Sequence, residues 1–305
     1  MGAADIGLKR MSWPALVSVV VPTFRRVERL PTLLARLSVI DQACDLDVII
    51  IDQTPGADLS TLQGFSEHFA CLRFISLAQA NVSRARNIGA KAASCDILLF
   101  LDDDMELERS YIPRVLSLMR EMPLDVFGAV WPGQGVIGRA DGGPLAGRGD
   151  DPLIFLPTCA LAMHRRDFLA AGGFDERLDR NFEDAEFSHR LKQQGLRLVR
   201  HPDLQAQHHD RQENGTWYSR SLMEAAARLM RQTAYFRRKT GRGWPDVLLA
   251  LLRVIVSETR RPGYLRGGTN LTRAAALGVS LPAALIYAAR SPLLAHAPSS
   301  SGRAG

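Results

Sequence analysis

The sequence is poor in the cysteine patterns that mark disulfide-rich or zinc-binding proteins. Its 305 residues include only four cysteines, and no two of them form a C-x-x-C pair. Aromatic residues are also scarce, at 7% of the chain. We therefore expect neither a disulfide framework nor a zinc knuckle, and the sequence favours a reducing, cytoplasmic setting.

Targeting signals and long hydrophobic runs are also missing from the sequence. The opening MGAADIGLKRMSWP has no apolar stretch typical of secretion signals, and Ile6 stands where a myristoylation signal needs Ser or Thr. The uncharged run between Arg273 and Arg290 has 16 residues, short for a membrane span, and contains a serine and a proline. We expect neither export nor a lipid anchor. A hydrophobic content of 46% nevertheless predicts a sizeable core and excludes a disordered chain.

Charge is unevenly distributed along the chain. The formal net charge is +6, but residues 211–305 hold 15 Lys and Arg against 4 Asp and Glu, or +11, which leaves −5 for residues 1–210. A basic segment of this kind favours anionic lipid, a polyanionic substrate or nucleic acid, or forms a solvated helix face. With few aromatic residues and no nucleic-acid-binding module, we expect no nucleic acid partner.

The basic segment also has the amphipathic pattern of helices. Stretches such as TWYSRSLMEAAARLMRQTAYFRRKTG place apolar residues at helical spacing among arginines. We predict a basic helical extension over residues 211–305, following a main domain of residues 1–210. The extension lies at a membrane interface, packs back on the main domain or forms a homodimer contact, and the sequence leaves these alternatives open.

The main domain begins with apolar runs that alternate with amphipathic stretches. The runs LVSVVVPTF, LDVIIID, LRFISL and DILLFL predict buried strands. The stretches ERLPTLLARLSVI and NVSRARNIGAKAAS predict helices, the second capped near Ser83. This order predicts an α/β fold, a Rossmann-like, mainly parallel sheet flanked by helices.

Acidic residues follow two of the predicted strands. Asp52 ends the second strand, and Asp102, Asp103 and Asp104 directly follow the fourth. Ligands collect at the carboxyl ends of such strands. Because side chains alternate in extended chain, we expect Asp102 and Asp104 to share one side. Hard carboxylate oxygens suit Mg²⁺ or Mn²⁺.

Four segments taken in order resemble the family 2 glycosyltransferases with the GT-A, nucleotide-diphospho-sugar transferase fold. They are VSVVVPTFRR, Asp52 after DVIII, NVSRARNIGAKAASCDILLFLDDD and GGFDERLDRNFEDAEFSHRLKQQGLRL. The resemblance covers roughly residues 16–210. It implies an inverting transfer of a sugar from a nucleotide-sugar donor to an acceptor hydroxyl, with a divalent metal, Mg²⁺ or Mn²⁺, on the diphosphate.

The resemblance also assigns roles in donor binding. It implies that Pro22, Thr23 and Phe24 line the nucleotide pocket, with Asp52 accepting a hydrogen bond from the base. Arg86 would contact the donor phosphates or be a plain surface arginine. The sequence departs from the family pattern after Asp52, where DQTPG follows, and the preferred base stays open.

The resemblance also assigns roles in donor and metal binding to the acidic triplet. The resemblance places Asp102 and Asp103 near the ribose and diphosphate, and implies Asp104 as the principal metal ligand, with Asp102 beside it. A metal-binding histidine is expected late in the domain. His208 fits that position, and His209 is the alternative.

A general base is needed because a sugar hydroxyl is a weak nucleophile until its proton is removed. Glu183 and Asp184 open a predicted helix that ends near Gly195. Carboxylates there are favoured by the helix dipole, and N-terminal capping alone would also explain them. Together with the upstream motifs, the resemblance favours Asp184 as the base.

We therefore expect a glycosyltransferase that acts on a glycan or lipid-linked acceptor in bacterial cell-envelope or exopolysaccharide synthesis. We expect it in the cytoplasm, with peripheral contact to an anionic membrane as one use of the basic extension. A catalytically silent relative that only binds a sugar nucleotide or glycan is the alternative.

Overall fold

The computed structural model describes residues 16–41, 43–130, 143–144, 155–208, 222–260 and 269–290. The chain divides into two compact units, Met1–Arg211 and Gln212–Gly305. The first unit combines a sheet with helices, and the second is helical in its described part.

The first unit is built on one sheet of nine described strands. Their bounds are β1 Val17–Thr23, β2 Leu46–Asp52, β3 Cys71–Ser76, β4 Ile97–Leu101, β5 Met105–Leu107, β6 Asp125–Val130, β7 Gly143–Pro144, β8 Ala160–His164 and β9 Arg197–His208. The strand order is β3-β2-β1-β4-β8-β6-β9-β5, and β7 pairs with β9. Within the described residues only β5, β7 and β8 run against the other six strands. The predicted mainly parallel α/β fold is confirmed.

Five α-helices accompany the described part of this sheet. They are α1 Leu30–Ser38, α2 Val82–Ala92, α3 Tyr111–Glu121, α4 Arg165–Ala170 and α5 Glu183–Gln193. Alternate residues of β1 face opposite sides of the sheet. Val19 lies in a cluster with the leucines of α1 and with α3, whereas Val20 lies with Ala85 of α2 and Phe187 of α5. Helices therefore cover both faces.

Helix α2 begins at Val82, and its N-cap lies two residues before the expected Ser83. Its N-cap is Asn81, whose side chain accepts a hydrogen bond from the backbone of Arg84 at 2.8 Å. The Ser83 hydroxyl instead donates to the Leu178 carbonyl. The expected cap at Ser83 is therefore wrong, because Ser83 joins α2 to the segment that leads to α5.

Helix α2 packs closely on β1 through a glycine. A methyl group built on Gly89 would lie 2.3 Å from a γ carbon of Val20, far inside van der Waals contact. The absence of a side chain at Gly89 lets α2 approach the sheet and brings Arg86, one turn earlier, under the edge where the acidic residues lie.

The carboxyl ends of the parallel strands meet at that edge. Thr23 at the end of β1 pairs with Asp52 at the end of β2. Strand β4 ends at Leu101, directly before Asp102. The backbone therefore brings Asp52 and the acidic triplet to the same edge of the sheet, as the sequence predicted.

The second unit consists, in its described part, of α6 Leu222–Lys239, α7 Trp244–Arg260 and α8 Asn270–Arg290. Leu229 of α6, Leu251 of α7 and Leu277 of α8 belong to one buried cluster. From the sequence, the uncharged run within α8 is short for a membrane span, but the whole helix is long and apolar enough to cross a membrane by length and composition alone. Core helices of soluble proteins share that property.

Candidate active site

Residues 102–104 form a tight turn rather than extended chain. The backbone N–H of Met105 donates to the Asp102 carbonyl at 3.2 Å, which closes a four-residue turn. As a result Asp102 pairs with one arginine, and Asp103 and Asp104 share another. The expectation that Asp102 and Asp104 lie on the same side is wrong, because side chains alternate only in extended chain.

Arg26 bridges the two aspartates on one side of the turn. Its Nη1 lies 3.1 Å from Oδ1 of Asp103 and 3.1 Å from Oδ2 of Asp104. The Thr23 hydroxyl donates to the other oxygen of Asp103 at 2.7 Å. Burial raises the pKa of Asp103 to about 6, although the Thr23 hydrogen bond and Arg26 oppose the shift. The positively charged Nη1 of Arg26 thus lies between two carboxylates, in a position that suits a cation.

Arg86 contacts three carboxylates on the other side of the acidic turn. Its side chain is 5% exposed, and Nη2 donates to Oδ1 of Asp102 at 2.9 Å. Its Nη1 lies 3.5 Å from Oε1 of Glu183 and 3.9 Å from Oδ1 of Asp184. Burial alone would lower the pKa of Arg86, but the three carboxylates hold it above its usual value. The alternative of a plain surface arginine is therefore wrong, because the guanidinium is buried among carboxylates. The expected contact with donor phosphates stays a prediction.

The pair Glu183–Asp184 opens α5, as the sequence predicted. Helix α5 ends at Gln193, and Gly195 follows with φ +84°, which glycine tolerates. Phe182, directly before the helix, has φ +67°, an uncommon and strained value for a residue with a side chain. Strain of this kind is often found at functional sites.

Burial raises the pKa values of both carboxyl groups of this pair. For Glu183 the negative charge of Asp184 adds to the effect and Arg86 opposes it. For Asp184 the opposing contributions are Arg86 and a hydrogen bond from Thr158. A carboxylate whose pKa is raised accepts a proton more readily than an ordinary surface aspartate.

The end of β2 offers a buried hydrogen-bond acceptor. Asp52 is fully buried, and its Oδ1 accepts from the Thr54 backbone at 3.1 Å. Its Oδ2 is buried and has no hydrogen-bond partner among the described residues. Burial raises the pKa of Asp52. A free acceptor at this edge is the feature that a nucleotide base with an N–H group would satisfy.

Gln53, in contrast, is occupied by the protein itself. Its side-chain Nε2 donates to the Thr23 carbonyl at 3.3 Å, and its Oε1 accepts from the Asn81 backbone at 2.6 Å. Both ends of the amide therefore join β1 to the start of α2. Gln53 fixes the edge of the pocket, and Asp52 is the group left to contact a base.

The remaining predicted site residues lie at the end of β1 and at the end of β9. Pro22 and Thr23 are buried at the end of β1, and Phe24 follows them with the Arg25 guanidinium 5.1 Å from its ring centre. The backbone of His208 pairs with Met105, the residue after the acidic turn. The side chain of His208 and all of His209 lie outside the described residues. Among the described residues, no three His, Cys, Asp or Glu side chains form a group suited to a metal.

Sequence reasoning missed two contributors to this site. Arg26 stands in the quoted PTFRR motif, but nothing in the motif indicates that it reaches across 77 residues to Asp103. Thr158 donates to Oδ1 of Asp184 at 2.6 Å. It lies in the stretch LPTCA, which matches none of the sequence motifs described above.

Comparisons with known proteins agree with the geometry. A family model for glycosyl transferase family 2 matches residues 18–166. An uncharacterized glycosyltransferase from Haemophilus influenzae is 28% identical over 108 residues, which are 35% of this chain. The match spans only about a third of that relative, 36% of its length.

Solved structures show the same fold at low sequence identity. The mannosyltransferase PcManGT from Pyrobaculum calidifontis, solved with GDP-Man and Mn²⁺, aligns with a TM-score of 0.58 and 17% identity over 94% of this chain and 89% of that one. Residues 1–349 of TarS from S. aureus, solved with UDP-GlcNAc, align with a TM-score of 0.63 and 16% identity over 90% of this chain and 81% of that one. Residues 18–166, just under half of this chain, therefore match the family 2 glycosyltransferase model, and the chain has the GT-A fold.

Proposed function

We propose that this protein transfers a sugar from a nucleotide-diphosphate donor to an acceptor hydroxyl, with inversion at the sugar carbon. The observation that carries the proposal is the convergence of Asp102, Glu183 and Asp184 on the buried Arg86. The convergence brings the acidic turn and the start of α5 to one site. Transfer requires the group that binds the donor and the group that accepts the proton to lie next to the same sugar, and the closeness of the acidic turn to the start of α5 fits this requirement.

The donor nucleotide is proposed to bind at the ends of β1 and β2. The base would donate to the unpartnered Oδ2 of Asp52, with Pro22, Thr23 and Phe24 beside it. Uracil, thymine and guanine all carry an N–H group that could do so. PcManGT and TarS, which bind GDP-Man and UDP-GlcNAc respectively, show that this fold takes more than one base.

The acidic turn fits a divalent cation. Its donor atoms are carboxylate oxygens, which suit Mg²⁺ or Mn²⁺, and the Arg26 nitrogen between Asp103 and Asp104 marks a position that accepts positive charge. We propose that Asp104 and Asp103 hold the ion and that His208 is a further ligand. Asp102, which pairs with Arg86, is a weaker candidate than the sequence suggested. A bound ion would offset the charge that develops on the departing diphosphate.

Asp184 is the proposed base. Its Oδ1 is engaged by Thr158, and its Oδ2 would take the proton from the acceptor hydroxyl. The acceptor oxygen then bonds to the sugar carbon as the bond from that carbon to the diphosphate oxygen breaks. Attack opposite the leaving group inverts the sugar carbon. Bacterial cell-envelope or exopolysaccharide synthesis is the proposed setting.

A donor screen tests the proposed activity and its metal requirement. Purified protein with Mn²⁺ should show a higher thermal midpoint with one class of nucleotide sugar and should release its nucleoside diphosphate. EDTA or Asp104→Asn should abolish release, whereas Asp203→Asn, at an exposed position of β9, should not. Stabilisation by a donor without release, even with candidate acceptors, would identify a catalytically silent sugar-nucleotide-binding protein instead.

Asp184→Asn tests the base. The substitution keeps the shape of the side chain but removes its basicity, so turnover should fall at least ~10²-fold while the donor dissociation constant stays within about two-fold. Glu176→Gln, at an exposed carboxylate near α2, should behave as the wild type. Equal losses of donor affinity and turnover in Asp184→Asn would show that Asp184 binds the donor or caps α5 instead.

The second unit presents an apolar and basic helix face. Leu249, Leu252, Arg253 and Val256 follow helical spacing on α7 and are exposed, Leu252 by 56%. We propose that this face lies on the anionic, cytoplasmic surface of the cell membrane, where each basic residue contributes about 1 kcal/mol. A lipid-linked acceptor would be within reach of an enzyme held there.

Liposome sedimentation tests this surface. The protein should sediment with anionic but not neutral liposomes at low salt, and the double variant Leu252→Ser/Val256→Ser should sediment less. Val39→Ser, at an exposed residue of the first unit, should leave sedimentation unchanged. Protein that stays in the supernatant with both liposomes contradicts the membrane proposal, and a dimer in light scattering that Leu252→Ser/Val256→Ser dissociates would assign the face to self-association.

A further inference from the structure

The four residues Leu156–Cys159, which precede β8, connect the two halves of the site. The backbone N–H of Leu156 donates to the Ser188 hydroxyl of α5 at 3.2 Å. The backbone N–H of Asp102 donates to the Cys159 carbonyl at 3.0 Å. Between these two contacts, Thr158 donates to Asp184. This LPTC segment therefore fixes α5 relative to the acidic turn.

Thr158 donates a hydrogen bond from its hydroxyl to one oxygen of the Asp184 carboxylate. Its side chain is almost fully buried, and its Oγ1 lies 2.6 Å from Oδ1 of Asp184, a short distance typical of a hydroxyl that donates to a charged carboxylate. Arg86 approaches the same oxygen, at 3.9 Å. Within the described residues, both of these side-chain contacts fall on Oδ1. The backbone of Thr158 also contributes a hydrogen bond to the carboxylate, so residue 158 is the main neighbour that fixes its orientation.

Control of the carboxylate plane matters for a base. An aspartate side chain turns freely about its last torsion, because the preference there is broad. A carboxylate that rotates presents its lone pairs to an acceptor hydroxyl only part of the time. A buried donor on one oxygen fixes the plane and directs the other oxygen.

We propose that Thr158 is a positioning residue that holds the Asp184 carboxylate so that Oδ2 faces the acceptor hydroxyl. The proposal rests on the function proposed above, since it assumes that Asp184 accepts that proton. Thr158 does not touch the donor and takes no part in the bond changes. Its effect is confined to the orientation of the base relative to the acidic turn.

Thr158→Val and Thr158→Ser separate this role from simple packing. Valine keeps the shape of threonine and removes the donor, whereas serine keeps the donor and loses a methyl group. We expect kcat to fall at least ~10-fold in Thr158→Val, with an unchanged donor dissociation constant, and to recover to within about two-fold of wild type in Thr158→Ser. A residue that only packs would give the reverse order, with serine worse than valine.

The double variant Thr158→Val/Asp184→Asn gives an independent check. If Thr158 acts through Asp184, adding Thr158→Val to Asp184→Asn should cause no further loss of turnover. A full additional loss, or a normal kcat in Thr158→Val, would overturn the proposal.

The two proposals can fail separately. If the wild-type protein turns over no donor, the proposed function fails, and the Thr158 contact is then read from a crystal structure of Thr158→Val. A rotated Asp184 carboxylate in that structure would support the positioning role. An unchanged carboxylate orientation would contradict it.

Discussion

The buried guanidinium of Arg86 is the interaction on which the rest of the site depends. A charge removed from water is costly unless it is paired, and here Asp102, Glu183 and Asp184 surround it. Glu183, whose side chain is 10% exposed, would also be costly alone, whereas Asp102 and Asp184 keep 31% and 23% of their side-chain surface exposed. The four groups therefore stabilise one another only while α2, the acidic turn and the start of α5 remain together. The close approach at Gly89 sets the position of α2 that makes this possible.

The charge balance of the site explains why it would select a cation. Among the described contacts, five acidic side chains meet two arginines: Arg86 lies among three of them, and Arg26 bridges Asp103 and Asp104. In these contacts each arginine carries one positive charge against two or three carboxylates, so neither fully neutralises its group. A donor diphosphate would add more negative charge. A divalent ion is the simplest way to bring such charges together, and this is the physical basis for the proposed metal requirement.

The parts of the molecule that could be predicted from the sequence are those governed by local patterns. The strands, the leucine face of α1 and the helix that Glu183 opens follow from hydrophobic periodicity and helix-end signals. The orientation of Asp102 could not be predicted, because a turn hydrogen bond replaces the extended geometry. Arg26 and Thr158 were missed since their partners lie 77 and 26 residues away, and distant pairings leave no trace in a local pattern.

The most direct test of the account is the thermal unfolding midpoint of Arg86→Met, measured beside Arg84→Met on the same helix. Arg84 pairs with Glu176 at the surface, where both side chains are about 40% exposed, so its loss should cost less than about 1 kcal/mol. Loss of the buried Arg86 leaves three carboxylates uncompensated and should cost about 3–5 kcal/mol, a fall in the midpoint of roughly 6–20 °C. Equal midpoints for the two variants would contradict the central role of Arg86.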